Sequence, residues 1–441
     1  AESGATWTQV GDDIDGEATG DRSGWSVSLS SDGTRVAIGA TGHDGDVGHV
    51  RVYSESGRTW TQIGDDIDGE AMGDRSGRLV SLSSDGMRVA ISARYNDGDS
   101  GDVNDNRGHV RVFAESGGTW TQIGADIDGE ATGDQSGRSM SMSSDGTRVA
   151  IGATGNDGDS GDSADARGHV RVYAESGATW TQVGDDIDGE AAGDGCGRSV
   201  SLSSDGTRVA IGCDNADYDT GLVRVFSESG GTWTQVGADI NGEAAGDESG
   251  KSVSISSDGT RVVIGAPDND GTAGHVRVHA ESDGTWAQVG ADIDGEVAGD
   301  ESGNSVSMSS DGTRVAIGAR GYDDYRGYVR VYRLQELVSC DASTAPTNGA
   351  VGNCTNNLVS GSTCQPTCYS GYTVSGTSSC TAGTLTAATC TSSPSANTTS
   401  PPPPPSPSNA TVILDDDDHA AGLAGILMVL LATTINMVFS L

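Results

Sequence analysis

Oxygen-rich acidic loops are the first feature of this chain that could do chemistry. Two of them read Asn96-Asp97-Gly98-Asp99-Ser100-Gly101-Asp102 and Asn156-Asp157-Gly158-Asp159-Ser160-Gly161-Asp162, with Asp105 and Asp165 beyond. Alternate Asp residues separated by Gly can wrap a hard cation, and calcium takes about six to eight such oxygens. Asp97, Asp99, Asp102, Asp105, Asp157, Asp159, Asp162 and Asp165 are therefore the candidate calcium ligands, and Asp13-Ile14-Asp15-Gly16-Glu17 with Asp21 is a second acidic group. Neither follows the EF-hand spacing, so solvated acidic loops are the simpler expectation. His49, His109, His169 and His275 share one repeat position, which becomes Leu222 and Tyr328 elsewhere. A ring of metal ligands built from them would lack two members, and an ordinary strand position is expected. No GxSxG, HExxH, CxxC pair or phosphate-binding loop is present, so the chain is read as a non-enzyme.

These residues sit on an array. Trp7, Trp60, Trp120, Trp180, Trp233 and Trp286 mark six copies of a unit 53 or 60 residues long. Each copy runs TWTQVG, DIDGEATGD, SVSLSSDG, TRVAIGA, GHVRVY, and four of those phrases alternate as strands do. Val27 and Leu29 oppose Ser26, Ser28 and Ser30; Val36 and Ile38 oppose Ala37 and Gly39; Val50 and Val52 oppose His49, Arg51 and Tyr53. Asp32-Gly33 marks a tight turn between the first two of these strands. The repeat predicts a four-stranded antiparallel sheet with one branched-aliphatic face and one face of Ser, Ala and Gly. Stacked radially, such sheets make a β-propeller of six visible blades; a linear solenoid is the competing geometry. The opening TWTQVG phrase is expected to complete the last blade and clasp the ring. A lost signal peptide and a seventh blade upstream are the alternative.

The phrases SG.SVSLSSDGTRVAIGA and GHVRVY resemble the FG-GAP repeats of integrin α-chain propellers, over residues 1–333. Phe-Gly is replaced by Ser-Gly or Cys196-Gly197, and Gly-Ala-Pro is literal only at Gly265-Ala266-Pro267. Integrin-type calcium loops do not carry over, because a short SSDGT turn stands in their place. The resemblance implies an extracellular adhesion or recognition protein with a protein or glycan ligand. An extracellular propeller enzyme acting on glycans, with Asp217 or Asp323 as acid or base, is the alternative. A structural, cation-collecting matrix protein is the third reading.

Twenty-five Lys plus Arg stand against 64 Asp plus Glu, a net charge of −39 that repels nucleic acid. Arg35, Arg88, Arg148, Arg208, Arg261 and Arg314 recur at one position and are read as scaffold, paired with Asp. Symmetry-breaking residues are the better candidates for ligand binding: Trp25, Tyr95 beside Arg94, Tyr218 within Asp217-Tyr218-Asp219, and Tyr322 and Tyr325 within the loop ending at Arg326.

Cys196 and Cys213 flank one hairpin at similar distances from its turn, which predicts a cross-strand disulfide. Six more Cys lie in residues 340–390, a segment poor in large apolar residues that needs crosslinks; spacing alone permits fifteen connectivities. Cys368-Tyr369-Ser370-Gly371-Tyr372, Gly376, Cys380 and Cys390 are similar to a sushi module. That resemblance implies Cys340–Cys380, Cys368–Cys390 and Cys354–Cys364, although Leu385 stands nearest the place of the module's Trp. Residues 391–419 form a Ser/Thr/Pro stalk and acidic spacer, and Asn353, Asn397 and Asn409 open glycosylation sequons. Residues 420–441 are an apolar tail. Small residues at Ser408-Asn409-Ala410, the spacer and this tail have the layout of a GPI-attachment signal at Asn409 or Ser408, favoured over a transmembrane helix. The expected location is the outer cell surface.

Overall fold

The structure is a computed structural model of the 441-residue chain, and it describes residues 8–98, 104–158, 165–334, 339–381 and 383–393. The chain divides into two compact units, residues 1–336 and 337–441.

In the first unit the alternation becomes antiparallel sheet. The first sheet comprises β1 (Ser23–Leu29), β2 (Arg35–Ala40), β3 (His49–Ser56) and β4 (Thr59–Gln62), paired in that order, and β5 (Ile67–Asp68) also pairs with β3. The DIDGE phrase thus contributes a short fifth strand, continuing the outer edge that TWTQ begins. Asp32 shapes the β1–β2 turn: its Oδ1 accepts from the Thr34 amide at 2.9 Å and from the Ser30 hydroxyl at 2.7 Å. Those donors, the amide foremost, hold its carboxyl down at about 2. Gly33 takes the left-handed conformation (φ 71°) that the turn requires.

Four further sheets repeat this pattern, and a sixth has three strands among the described residues: Ser302–Met308, Arg314–Ala319 and Tyr328–Arg333. The sheets stack face to face. Between the third and fourth, Ala150, Val170, Val172 and Ile187 of one meet Val200, Leu202, Val209 and Ile211 of the next, with Phe226 and Trp233 at the outer edge. The small face brings backbones close: a Cβ on Gly212 would lie 2.0 Å from the Gly250 carbonyl oxygen. Among the described residues, four of the five junctions, all but that between the fifth and sixth sheets, are also stapled by an indole. Trp120, Trp180, Trp233 and Trp286 donate Nε1–H to the carbonyls of Ile63, Ile123, Val183 and Val236 at 2.8–2.9 Å. The recurrent arginines are scaffold, as Arg35 shows by reaching the Gly86 carbonyl at 3.1 Å and Glu115 at 3.3 Å in the next repeat. Their partner is Glu, not the expected Asp. First strands of successive sheets adjoin one another and line the axis, so the unit is a β-propeller.

Residues 8–15 lie against the first sheet rather than on the sixth. Trp60 Nε1 donates to Val10 O at 2.8 Å, Arg51 Nη2 to Asp15 O at 2.7 Å, and Ile14 packs on Val36, Ile38 and Tyr53. They occupy the place of a preceding repeat's outer strand, and the expected clasp does not form among the described residues. Two complementary faces are consequently open: Val27 and Leu29 on the first sheet (63% and 59% exposed), Val329 and Val331 on the sixth (70% and 69%).

One junction carries an acid-sensitive substitution. His279 is buried where the other repeats place Tyr or Phe, and burial, with Arg277 nearby, pushes its imidazole down to about 4. The unfolded chain, with an ordinary value of 6.5, binds the proton more tightly, so stability is present above pH 6.5 and lost as pH falls toward 4. His279→Phe is expected to remove this loss, on the order of 2 kcal/mol at pH 4 to 5. Urea unfolding of both proteins at pH 7 and pH 4.5 checks it, because the gap between them must widen at the lower pH.

Cys196 and Cys213 are bonded, as are Cys340–Cys380, Cys354–Cys364 and Cys368–Cys390. In the second unit these bridges replace a core: Cys340, Ala342, Cys354, Leu358, Cys364 and Cys380 are buried together, with Leu385 packed against them. Disulfides of this number are the mark of an extracellular or secreted chain. Among the described residues no helix is long and apolar enough to cross a membrane. Asn353 is exposed, and its Oδ1 accepts from the Gln365 amide at 2.6 Å. Asn397, Ser408, Asn409 and the apolar tail lie outside the described residues.

Candidate functional site

The strands that line the axis begin with a repeat position occupied by Trp25, Arg78, Arg138, Arg198, Lys251 and Asn304. Four cations thus stand at one end of the axis of a chain whose net charge is −39. The strand pairing explains why: β1 starts opposite the end of β2 (Ser23 with Ala40), so these side chains share an end of the propeller with the loops that follow β2. Arg78 stacks over the Trp25 ring, 5.2 Å from its centroid. Burial pushes Arg78 down, with smaller contributions from Arg75 and from Arg198 two sheets away.

A cavity of about 420 Å³ opens here, lined by Arg138, Thr154, Arg198, Asp214, Asn215 and Lys251 among others. Asp214 breaks the repeat symmetry, since the equivalent residues are Thr41, Arg94, Thr154, Pro267 and Arg320. It is buried, with Arg198 Nε 2.9 Å and Lys251 Nζ 3.8 Å from its Oδ2. Burial still raises its carboxyl above the usual range, against the pull of those two cations. Asp268 is raised too, by burial and by the like charge of Glu248. A buried carboxyl of raised pKa beside fixed cations can trade protons with a substrate while the cations hold negative charge.

The residues expected from sequence fall in several places. Trp25 is at this end of the axis and 51% exposed. Tyr95 is held between Arg94 and Arg75, whose guanidinium carbons lie 4.5 and 5.3 Å from its ring centre. Tyr322 packs edge-on against Tyr328 at 5.0 Å, while Tyr218 and Tyr325 are 87% and 77% exposed. Tyr218 adopts φ 59° where Gly45 and Gly271 occupy the same turn at 73° and 67°, a conformation unfavourable to an aromatic residue and a hint of function. Asp217 shares that exposed turn, and Asp323 pairs with Arg326 at 2.8 Å, whereas Asp214 is buried.

Of the acidic loops, Asp105 and Asp165 are buried and bind Arg107 and Arg167 at 2.7 Å. Asp97 Oδ1 accepts from the Asn106 amide at 3.0 Å, and Asp157 has the same place in the next repeat. Asp99, Asp102, Asp159 and Asp162 lie outside the described residues. Asp21 and its equivalents close a turn, as when Asp21 Oδ2 accepts from the Ala18 amide at 2.8 Å. The shared histidines are almost fully buried and each meets carboxylates: His109 lies with Glu70 and Asp126, His169 with Glu130 and Asp186, His275 with Glu243 and Asp292, and His49 with Glu17 and His43 or with Asp66 and Asp68.

No family model and no curated protein matches the chain. Solved structures do share its fold. A Bacteroides uniformis protein assigned provisionally as a 6-phosphogluconolactonase aligns over 71% of this chain and 81% of its own, with 16% identity and a TM-score of 0.50. The periplasmic gluconolactonase of Pseudomonas aeruginosa aligns over 70% and 84%, with 17% identity and a TM-score of 0.44. Hydrazine synthase of Kuenenia stuttgartiensis aligns over 72% and 78%, with 15% identity and a TM-score of 0.47. At 16% identity and a TM-score of 0.50, the likeness to the Bacteroides uniformis protein shows the β-propeller fold alone. The reading of the chain as a non-enzyme is overturned: a protein carrying an enzyme's name shares this architecture, so the absence of linear motifs is no ground for it.

Proposed function

We propose that the propeller is an extracellular enzyme acting on negatively charged sugar derivatives at the axial cavity. The observation that carries this reading is the pairing of a buried, symmetry-breaking Asp214 with Arg198 and Lys251, in a cavity that Arg138 also lines, in a strongly acidic protein. Arg198 and Lys251 would hold a carboxylate or phosphate, and Arg138 would close the cavity's other side. Asp214 would act as the general base, taking a proton from the attacking water. For a sugar lactone, that water adds to the carbonyl carbon, the ring ester C–O bond breaks, and the leaving oxygen is protonated. The gluconolactonase names among the fold's relatives make such lactones the first substrates to try. The exposed Trp25 beside Arg78 offers a flat apolar face of the kind that packs on a sugar ring. An adhesive role, implied by the FG-GAP resemblance, has no comparable constellation in support. Anchoring by the apolar tail remains part of this proposal: the stalk would present the propeller outside the cell.

Calorimetry with gluconate, 6-phosphogluconate and glucose, and hydrolysis of the corresponding lactones by the full chain, test the reading. Arg198→Ala is expected to weaken the acidic ligands at least tenfold and leave glucose unaffected. Asp214→Asn is expected to abolish turnover with binding retained. Hydrolysis that persists in Asp214→Asn, or equal affinity for neutral and acidic sugars, would overturn it.

A further inference from the structure

The histidine position holds a second kind of site, built at each junction rather than across the ring. His109 is 1% exposed, and its Nδ1 has no hydrogen-bond partner. That nitrogen points between two carboxylates, 3.7 Å from Glu70 Oε2 and 3.5 Å from Asp126 Oδ2. All three ligand atoms lie within 4.8 Å of one another. The edge of a tetrahedron of ligands about 2.0–2.1 Å from a central ion is about 3.4 Å, close to both distances. Each carboxylate is also fixed from behind. Asp126 Oδ1 accepts from Gln122 Nε2 at 2.7 Å, and Glu70 Oε1 faces Arg111 Nη1 at 3.6 Å. Arg111 is anchored in turn on the Asp68 carbonyl at 2.6 Å. Outer partners that orient a His and two carboxylates are what a metal site requires beyond its ligands. Two carboxylates facing one neutral imidazole also leave a negative charge that the single nearby guanidinium does not balance.

We infer that Glu70, His109 and Asp126 bind a divalent cation of the zinc class, and that the chain repeats this site wherever the repeat carries histidine. Glu130, His169 and Asp186 form it at the next junction, with His169 Nδ1 3.4 Å from Asp186 and 3.9 Å from Glu130. Glu243, His275 and Asp292 form it again, and His49 does so in the first repeat, where His43 joins Glu17. One nitrogen and two oxygens suit zinc or cobalt; calcium, which takes about six to eight oxygens, is poorly served. Each site joins two sheets, since Glu70 follows β5 of the first sheet while His109 and Asp126 belong with the second. The fourth repeat supplies a natural control: Glu190 and Asp239 are present, but Leu222 replaces the histidine, and Arg224 turns to Asp239 at 3.6 Å.

Zinc titration of the full chain in excess calcium, added to compete with nonspecific uptake by exposed carboxylates, tests the inference. Four saturable sites are expected, with cobalt giving a visible band for nitrogen-and-oxygen coordination. His109→Leu, borrowing the residue of the fourth repeat, is expected to remove one site of the four. Replacing His49, His109, His169 and His275 together by Leu is expected to remove all of them along with the cobalt band. Should His109→Leu fail to fold, Glu70→Gln at a half-exposed carboxylate is expected to weaken one site at least tenfold. Unsaturable uptake, unchanged stoichiometry in the quadruple variant, or unweakened binding in Glu70→Gln would each overturn the inference.

Discussion

Gly212→Ala is expected to cost about 3 kcal/mol or more, enough to unfold part of the propeller at moderate temperature. The added Cβ would sit 2.0 Å from the Gly250 carbonyl oxygen and 2.5 Å from Ser199 Oγ, which itself donates to that carbonyl at 2.7 Å. Backbone cannot yield as a flexible side chain would, so two sheets must part. The second repeat shows how the conflict is resolved in nature. Ser92 stands at the glycine position, fully buried, and Leu79 replaces the serine. The Ser92 hydroxyl accepts from the Leu79 amide at 3.1 Å, inside its own sheet. Gly212→Ser combined with Ser199→Leu should therefore lose less than the two single losses added, with a coupling of about 1 kcal/mol. Urea denaturation of the four proteins measures it, and strict additivity would sink the argument.

Trp233→Ala is expected to cost about 3 kcal/mol, through lost packing on Phe226 and the junction core and through an orphaned Val183 carbonyl. Trp233→Phe separates the two contributions, because it keeps the apolar contact and loses only the bond, about 1 kcal/mol. Hydrogen exchange is the sharper readout. Protection should fall first in the third and fourth sheets, which this indole joins, and spread less to the first and sixth. Uniform loss of protection throughout would mean that the propeller behaves as one cooperative block.

The strands, their order, the turn at Asp32-Gly33 and the Cys196–Cys213 bridge were legible in the sequence, since alternation and hairpin position act over short distances; the other three pairings followed from the sushi resemblance and not from Cys spacing, which leaves fifteen connectivities open. The outer edge was legible only in part. Ile67-Asp68 is too brief to show alternation, and it becomes a strand only because β3 is long enough to pair with two partners. The axial cations were hidden by a different cause. Arg78, Arg138, Arg198 and Lys251 recur, and recurrence reads as scaffold until the sheets close around an axis and turn one position per repeat into a cluster. Asp214 could have been found, as the one acidic residue at a position that is Thr, Arg or Pro in the other copies. The histidines were weighed against one another, whereas their partners are the Glu at the edge of the preceding sheet and the Asp of their own.

The Trp staples have a consequence for how such a chain changes over generations. Each indole reaches back 50 residues or 57, as from Trp233 to Val183 and from Trp120 to Ile63. The seven-residue difference is taken up entirely in the loops at one end, while the donor, the acceptor and the sheets between keep their register. A duplicated or deleted unit therefore carries its own fastening with it, and unequal crossing-over within such a gene would change the count of units without disturbing the chemistry of any junction that remains.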